Sequence, residues 1–252
     1  FSFIFIGRWW LVGAAWQSSS SSSSTTIPST STTTTPSIPD ADAAILTLAR
    51  QQGMSTSTRR AIFIILLTST DFADAYIRLI KLSLSNEQER EIIRVLFHCC
   101  GQEASFNPYY AHLAVRLCAY KHAFAITATY TFWDFIKDIQ NATPRRILNI
   151  ASLVGHMIAH GSLGINVLKT IDMHVTDDER IGALVRVVLT SALIGAPSKE
   201  AIGEVFGKAQ SALRDGLMFA LDVYVRPYEK GNEGLREGRR VAKAALRPDV
   251  FG

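Results

Sequence analysis

His156 and His160 stand four residues apart in a stretch with helical periodicity, the spacing at which a zinc protease presents two imidazoles to one ion. The chemistry would be metal-assisted hydrolysis, with a glutamate after the first histidine as general base. Met157 occupies that place and no third ligand is evident in the sequence, so the pair reads as surface or second-layer histidines. His98-Cys99-Cys100 with Cys118 is the other candidate metal set. Adjacent helical residues diverge by about 100°, so Cys99 and Cys100 cannot both face one ion and read as small buried hydrophobes. Asp177-Asp178-Glu179 could pair carboxylates for acid–base work, but it precedes an apolar period and marks a helix start. Gly161 to Gly164 is a helix stop rather than a phosphate cradle, and there is no nucleophile elbow. The aromatic set around Trp133 reads as core, since base-stacking aromatics normally sit on an exposed sheet. The expectation is a non-catalytic protein with no cofactor, metal or small-molecule substrate.

The elements that would hold these groups are helices. Ser85 with Gln88 is a capping box, and Glu87 and Glu89 place negative charge at the positive end of the macrodipole. Ile92, Leu96, Cys99 and Cys100 then recur at helical spacing, widened by Ile93 and Phe97, while Glu87, Arg90, Glu91, Arg94 and His98 form a wet face with Glu87–Arg90 and Glu91–Arg94 as neighbouring pairs. Asn107 as N-cap and Pro108 at the first helical position open a second helix with Tyr110, Leu113 and Leu117 inward. Neither helix can bury its stripe alone, so Ser85 to Cys118 is expected to fold as a helical hairpin packed on further hairpins.

The same periodicity extends both ways. Ala44 to Ala49 suggests a short helix ending at Gly53. Thr58 to Thr68 turns Ile62, Phe63, Leu66 and Leu67 inward behind Arg59-Arg60, and Thr70-Asp71 opens a helix with Phe72, Tyr76, Leu79 and Ile80 inward. Phe124 to Ile139 carries Tyr130, Phe132, Trp133, Phe135 and Ile136 as a bulky wedge. Thr143-Pro144 starts a helix with Ile147, Ala151, Val154 and Ile158 inward, stopped by Gly161. A short turn around Ile165 to Ile171 leads to a second capping box at Thr176 and Glu179, ahead of the cleanest amphipathic pattern, Ile181 to Ala192. The last ordered helix is placed at Ser211 to Tyr224, ended by Arg226-Pro227. Strand signals are missing, so the fold class is all-α: stacked antiparallel helix hairpins of HEAT-like type.

Around this domain, placed at residues 40–227, the chain carries a disordered Ser/Thr/Pro-rich linker at 17–39 and a charged tail at 228–252 that reads as solvated and frayed. Residues 1–16 are apolar but too short to cross a bilayer, and no membrane partner is expected. Phe1 in place of an initiating Met is expected of a fragment or of an imperfect gene model. A formal charge of +4 argues weakly for an acidic partner, and three cysteines without a framework fit a reducing compartment. In the tail, Arg239, Arg240 and Lys243 are the candidate RNA contacts.

TRRAIF (Thr58 to Phe63), TSTDFADA (Thr68 to Ala75), LIKLSLSNEQEREI (Leu79 to Ile92), VLFHCCGQE (Val95 to Glu103), FNPYYAHLA (Phe106 to Ala114) and FWDFI (Phe132 to Ile136) together resemble one family. From about Leu46 to Tyr224 the chain resembles the MA-3 domain that follows the MIF-4G domain (middle domain of initiation factor 4G) in the nucleolar Nom/Sgd proteins. GRWWLVGAAW (Gly7 to Trp16) resembles the closing segment of the MIF-4G region, so residues 1–16 are expected as its remnant. The resemblance implies a nucleolar adaptor in small-subunit ribosome assembly and 18S precursor processing. Its partners would be a DEAD-box RNA helicase similar to initiation factor 4A, pre-ribosomal proteins and pre-rRNA. In such modules acidic residues at the turn into the second helix can meet a basic helicase surface; Asp71 and Asp74 stand at the matching place. With Glu87 and Arg90 they form the expected partner-binding set, and Arg59 and Arg60 are the corresponding candidates for an acidic partner or RNA phosphate. The related splicing factor of the same architecture and an RNA-binding protein acting through its basic tail are the competing readings.

Overall fold

A computed structural model describes residues 38–174 and 178–247. Residues 1–16, residues 17–37 of the linker and Thr176 of the second capping box lie outside them. Every regular element among the described residues is helical. The chain divides into two compact units, Phe1–Val95 and Leu96–Gly252.

In the first unit, α1 (Ile38–Gln51) begins within the segment read as linker and ends before Gly53, whose φ of 74° needs a residue without Cβ strain. α2 (Ser57–Thr68) starts where Thr56 accepts the Arg59 N–H at 3.2 Å, and it buries Ile62, Phe63, Ile65 and Leu66. α3 (Phe72–Lys81) is capped reciprocally: Asp71 accepts from the Asp74 N–H at 2.7 Å, and Asp74 accepts from the Thr70 N–H at 3.1 Å. Ala75 and Leu79 are its buried residues, whereas Phe72, expected inward, is exposed at the helix mouth. Ser83, at φ 47°, makes the turn into α4 (Asn86–Gln102), whose start has the expected box: the Ser85 N–H donates to Gln88 Oε1 at 3.2 Å.

The second unit opens with the last turns of α4, where Leu96, Cys99 and Cys100 are fully buried. α5 (Pro108–Tyr120) follows behind its Asn107 cap with Tyr110, Leu113 and Leu117 at zero exposure. α6 (His122–Lys137) packs on α5 through Phe124, Ala128 and Phe132. The aromatic wedge is only partly inward, because Tyr130 is 59% exposed. α7 (Pro144–Ala159) and α8 (Glu179–Ile194) form the closest-packed pair. Gly155 makes this possible, since a Cβ there would lie 2.5 Å from the Val188 carbonyl oxygen. Asp178 caps α8 through the N–H groups of Arg180 and Ile181, and Glu179 is its first residue, so these two acids mark a helix start; Asp177 lies outside the described residues.

Beyond α8 the structure departs from the periodicity reading. α9 (Lys199–Gly207) was not anticipated, although Ser198 caps it and Ile202 and Phe206 are one turn apart and buried. α10 (Ser211–Ala220) widens into a π turn over Leu221–Val225, followed by a 3-10 turn at Arg226–Tyr228. The segment expected to fray is instead α11 (Glu233–Leu246), which buries Leu235, Ala242 and Leu246 and packs on α9 and α8. The alternating charges hid a narrow apolar stripe, enough to dock a helix once a neighbour supplies the other half of the core.

Candidate partner-binding surfaces

In the first unit, the N-terminus of α2 and the first two turns of α4 line a groove of about 550 Å³. Its walls carry the hydroxyls of Ser55, Thr56, Ser57 and Thr58 together with Arg59, Glu87, Gln88 and Glu91. Two of the residues singled out from sequence, Arg59 and Glu87, therefore share one site. Arg59 is not open for the taking: its Nε donates to Glu91 Oε2 at 2.5 Å, and Arg94 donates to the other oxygen at 2.7 Å. Burial alone would raise the Glu91 pKa, but the hydrogen bonds and charges of Arg59 and Arg94 outweigh it and hold the carboxyl below its ordinary range. Glu91, expected on the wet face, is thus half-buried between two guanidinia. Arg60 turns away and donates to the carbonyls of Met54 and Ser55. Asp71 and Asp74 serve the start of α3, with Arg78 3.7 Å from Asp74. Caps of this kind use one carboxylate oxygen and leave acceptor capacity on the other. Arg90 is exposed on α4.

In the second unit, the basic residues of α11 have separate surroundings. Arg239 is 14% exposed and bonds both Glu229 and Asp222, while Lys243 donates to both oxygens of Asp222 at 2.9 and 2.7 Å. These two cations fasten α11 onto the π turn. Arg240 is exposed and pairs with Glu237 at 3.2 Å.

The groups that suggested chemistry take structural places. Cys99 and Cys100 are buried, and burial, helped by Glu103, pushes both thiols well above their ordinary value; burial also moves Cys118 up to about 12. Glu103 is buried beside them, its carboxyl raised by burial and partly held back by the Tyr110 hydroxyl, which donates to it at 2.9 Å. Asn149 donates to the Glu103 carbonyl at 2.8 Å, closing the network. His156 and His160 stack at 4.3 Å, and His112, which periodicity did not flag, meets His156 edge-on at 5.0 Å. Burial, then the neighbouring imidazoles His160 and His112, lower His156 to about 4. Among the described residues no group of three or more ligating side chains could hold a metal ion. No helix among them is long and apolar enough to cross a membrane.

Capped helices in hairpins make up a helical module, and residues 58–164 match the MA3 domain. The chain carries that domain. It is 32% identical over 244 residues to nucleolar MIF4G domain-containing protein 1 of Mus musculus, covering 95% of this chain and 28% of that protein. The Homo sapiens protein of the same name is 36% identical over 216 residues, 84% of this chain and 24% of its own. Suppressor of glycerol defect protein 1 of Schizosaccharomyces pombe is 29% identical over 231 residues, covering 87% of this chain and 30% of that protein. The chain thus resembles part of these proteins, two of which are named as nucleolar, and spans less than a third of their length. A shorter likeness, 27% over 119 residues, or 47% of this chain and 13% of that protein, reaches pre-mRNA-splicing factor CWC22 of Mycosarcoma maydis.

Proposed function

We propose that this chain is part of a non-catalytic nucleolar adaptor in small-subunit ribosome biogenesis, acting in 18S precursor processing. It would bind a DEAD-box helicase similar to initiation factor 4A, together with pre-ribosomal proteins and pre-rRNA, through the outer faces of its helices. The observation that carries this reading is the likeness over nearly the whole chain to proteins named as nucleolar. The acidic mouth of α3, with Asp71 and Asp74 ordered by mutual capping, supports a basic protein partner there. Glu87, in the groove beside α2, and Arg90, exposed on α4, are further proposed partner contacts. Arg59, Arg60 and Arg240 remain proposed phosphate contacts, whereas Arg239 and Lys243 would have to leave Asp222 to serve as such. The weaker likeness to a splicing factor supports the second reading, a role in pre-mRNA splicing.

Affinity purification of the full-length gene product, with identification of co-purifying proteins, decides between them. Small-subunit precursors and the helicase are expected. Recovery of spliceosome components in their place overturns the nucleolar reading.

A further inference from the structure

The outer face of α6 does not resemble an ordinary solvated helix face. Ile126 and Tyr130, one turn apart, are 47% and 59% exposed. Of the threonines nearby, Thr127 is buried and Thr129 and Thr131 are half-buried, and none offers its hydroxyl proton to a visitor. Thr127, Thr129 and Thr131 donate to the carbonyls of Ala123, Ala125 and Thr127 at 2.8, 3.0 and 2.8 Å, each four residues back. Next along the helix, Trp133 is held in one orientation, because its Nε1 donates to the Val167 carbonyl at 2.8 Å. Tyr130 stands at 86° to that indole with centroids 5.3 Å apart, an edge-to-face contact rather than a parallel stack. Lys169, exposed on the 3-10 turn Ile165–Thr170, places its ammonium 5.0 Å from the indole centroid.

We propose that this face is a base-stacking site for single-stranded RNA, with Tyr130 as the platform, Trp133 as its fixed backing and Lys169 as the phosphate contact. A nucleobase needs a flat π face and a nearby cation, and both are present. The back-bonded Thr129 and Thr131 offer acceptor oxygens but no donor for a peptide's carbonyls. The charge at this face is the exposed Lys169 beside Trp133, while Asp134, one turn beyond Tyr130, is paired with Lys137 at 3.1 Å. The site differs from the basic residues of α2 and α11, which are engaged with acids and carbonyls of their own unit.

The test is fluorescence anisotropy with the whole chain and a labelled oligouridylate of about 12 nucleotides, set against an abasic oligomer of equal length and charge. Wild type is expected to prefer the oligouridylate. Tyr130→Ala should weaken that binding about 5-fold or more and erase the preference, while Tyr130→Phe retains it. Lys169→Ala should lower the salt slope by about 0.7. Tyr130 is exposed, so circular dichroism of Tyr130→Ala should match wild type. The proposal is overturned if wild type fails to bind at low salt, or if the abasic oligomer binds equally well. It is also overturned if Tyr130→Ala binds RNA as wild type does, including the case where it loses a protein partner instead.

Discussion

Substituting alanine for Gly155 should destabilise the second unit, although alanine is the better helix former. The propensity change favours Ala by about 1 kcal/mol. Against it, the new Cβ would lie 2.5 Å from the Val188 carbonyl oxygen, 2.6 Å from Ser191 Cβ and 3.2 Å from the Ala192 nitrogen. Two of these three are backbone atoms of α8, so no side-chain rotation relieves the clash, and the helices must move apart by roughly 1 Å at the crossing. Overpacking of this kind costs about 1–3 kcal/mol, and backbone contact places it at the upper end. The net expectation is a loss of about 1–2 kcal/mol after the propensity gain, read as a lower urea midpoint in far-ultraviolet circular dichroism. Gly203, inside α9, is the control, because an added Cβ would meet only Val241 Cγ1 at 4.0 Å. Gly203→Ala should raise stability by about 0.5–1 kcal/mol. If Gly155→Ala is neutral, or shifts in the same direction as Gly203→Ala, the α7–α8 contact does not depend on the missing side chain and the reasoning fails.

Further outcomes follow from the buried polar groups. His156 has a folded pKa of about 4 against an ordinary 6.5. The unfolded state therefore binds more protons between those values, and stability should fall as pH drops through this window. For a half-buried group, screening reduces the loss to about 1–2 kcal/mol, and the slope should flatten in His156→Gln, measured by urea melts across pH. Glu103 is shifted the other way. The folded state keeps its proton above pH 4.5, so that contribution is full below 4.5 and is lost as pH rises through the folded value. Glu103→Gln keeps an acceptor for Tyr110 and should remove the slope without lowering stability at neutral pH. Cys99 and Cys100, buried and with raised pKa values, should resist Ellman's reagent at pH 8 until denaturant is added. Ending the chain after Tyr228 removes Leu235, Ala242 and Leu246 from the core and should lower stability by several kcal/mol; an unchanged melt would mean that α11 is not docked.

Long, strongly periodic segments were legible from residues alone. The Ser85 box, the Asn107-Pro108 start and the Thr143-Pro144 start lie where local capping chemistry puts them, because a cap is decided within four residues. Phe72 and Tyr130 fit the inward periodicity yet are exposed, because period 3.6 gives a face but not how far a neighbouring element covers it. α9 was overlooked because nine residues hold only two strong apolar anchors, and its Ser198 cap was the available signal. α11 was read as a tail since Glu233, Arg236, Glu237 and Arg240 satisfy one another within the helix, which looks in sequence like any solvated face. For the candidate surfaces, sequence indicated the cations but not their neighbours. Arg59 to Glu91 is a contact across 32 residues and Lys243 to Asp222 one across 21, and separations of that size leave no trace in local patterning.

The pairing of Arg59, Arg94, Arg239 and Lys243 with acids of their own unit limits how this chain can find anything. Paired charges present dipoles, whose fields die away within a few ångströms, well inside the screening length of about 8 Å in physiological salt. At these four positions a visiting molecule meets no free charge; it must out-compete a carboxylate at contact. Recognition at these positions favours a ligand whose contacts replace the lost ion pair over one that offers charge alone.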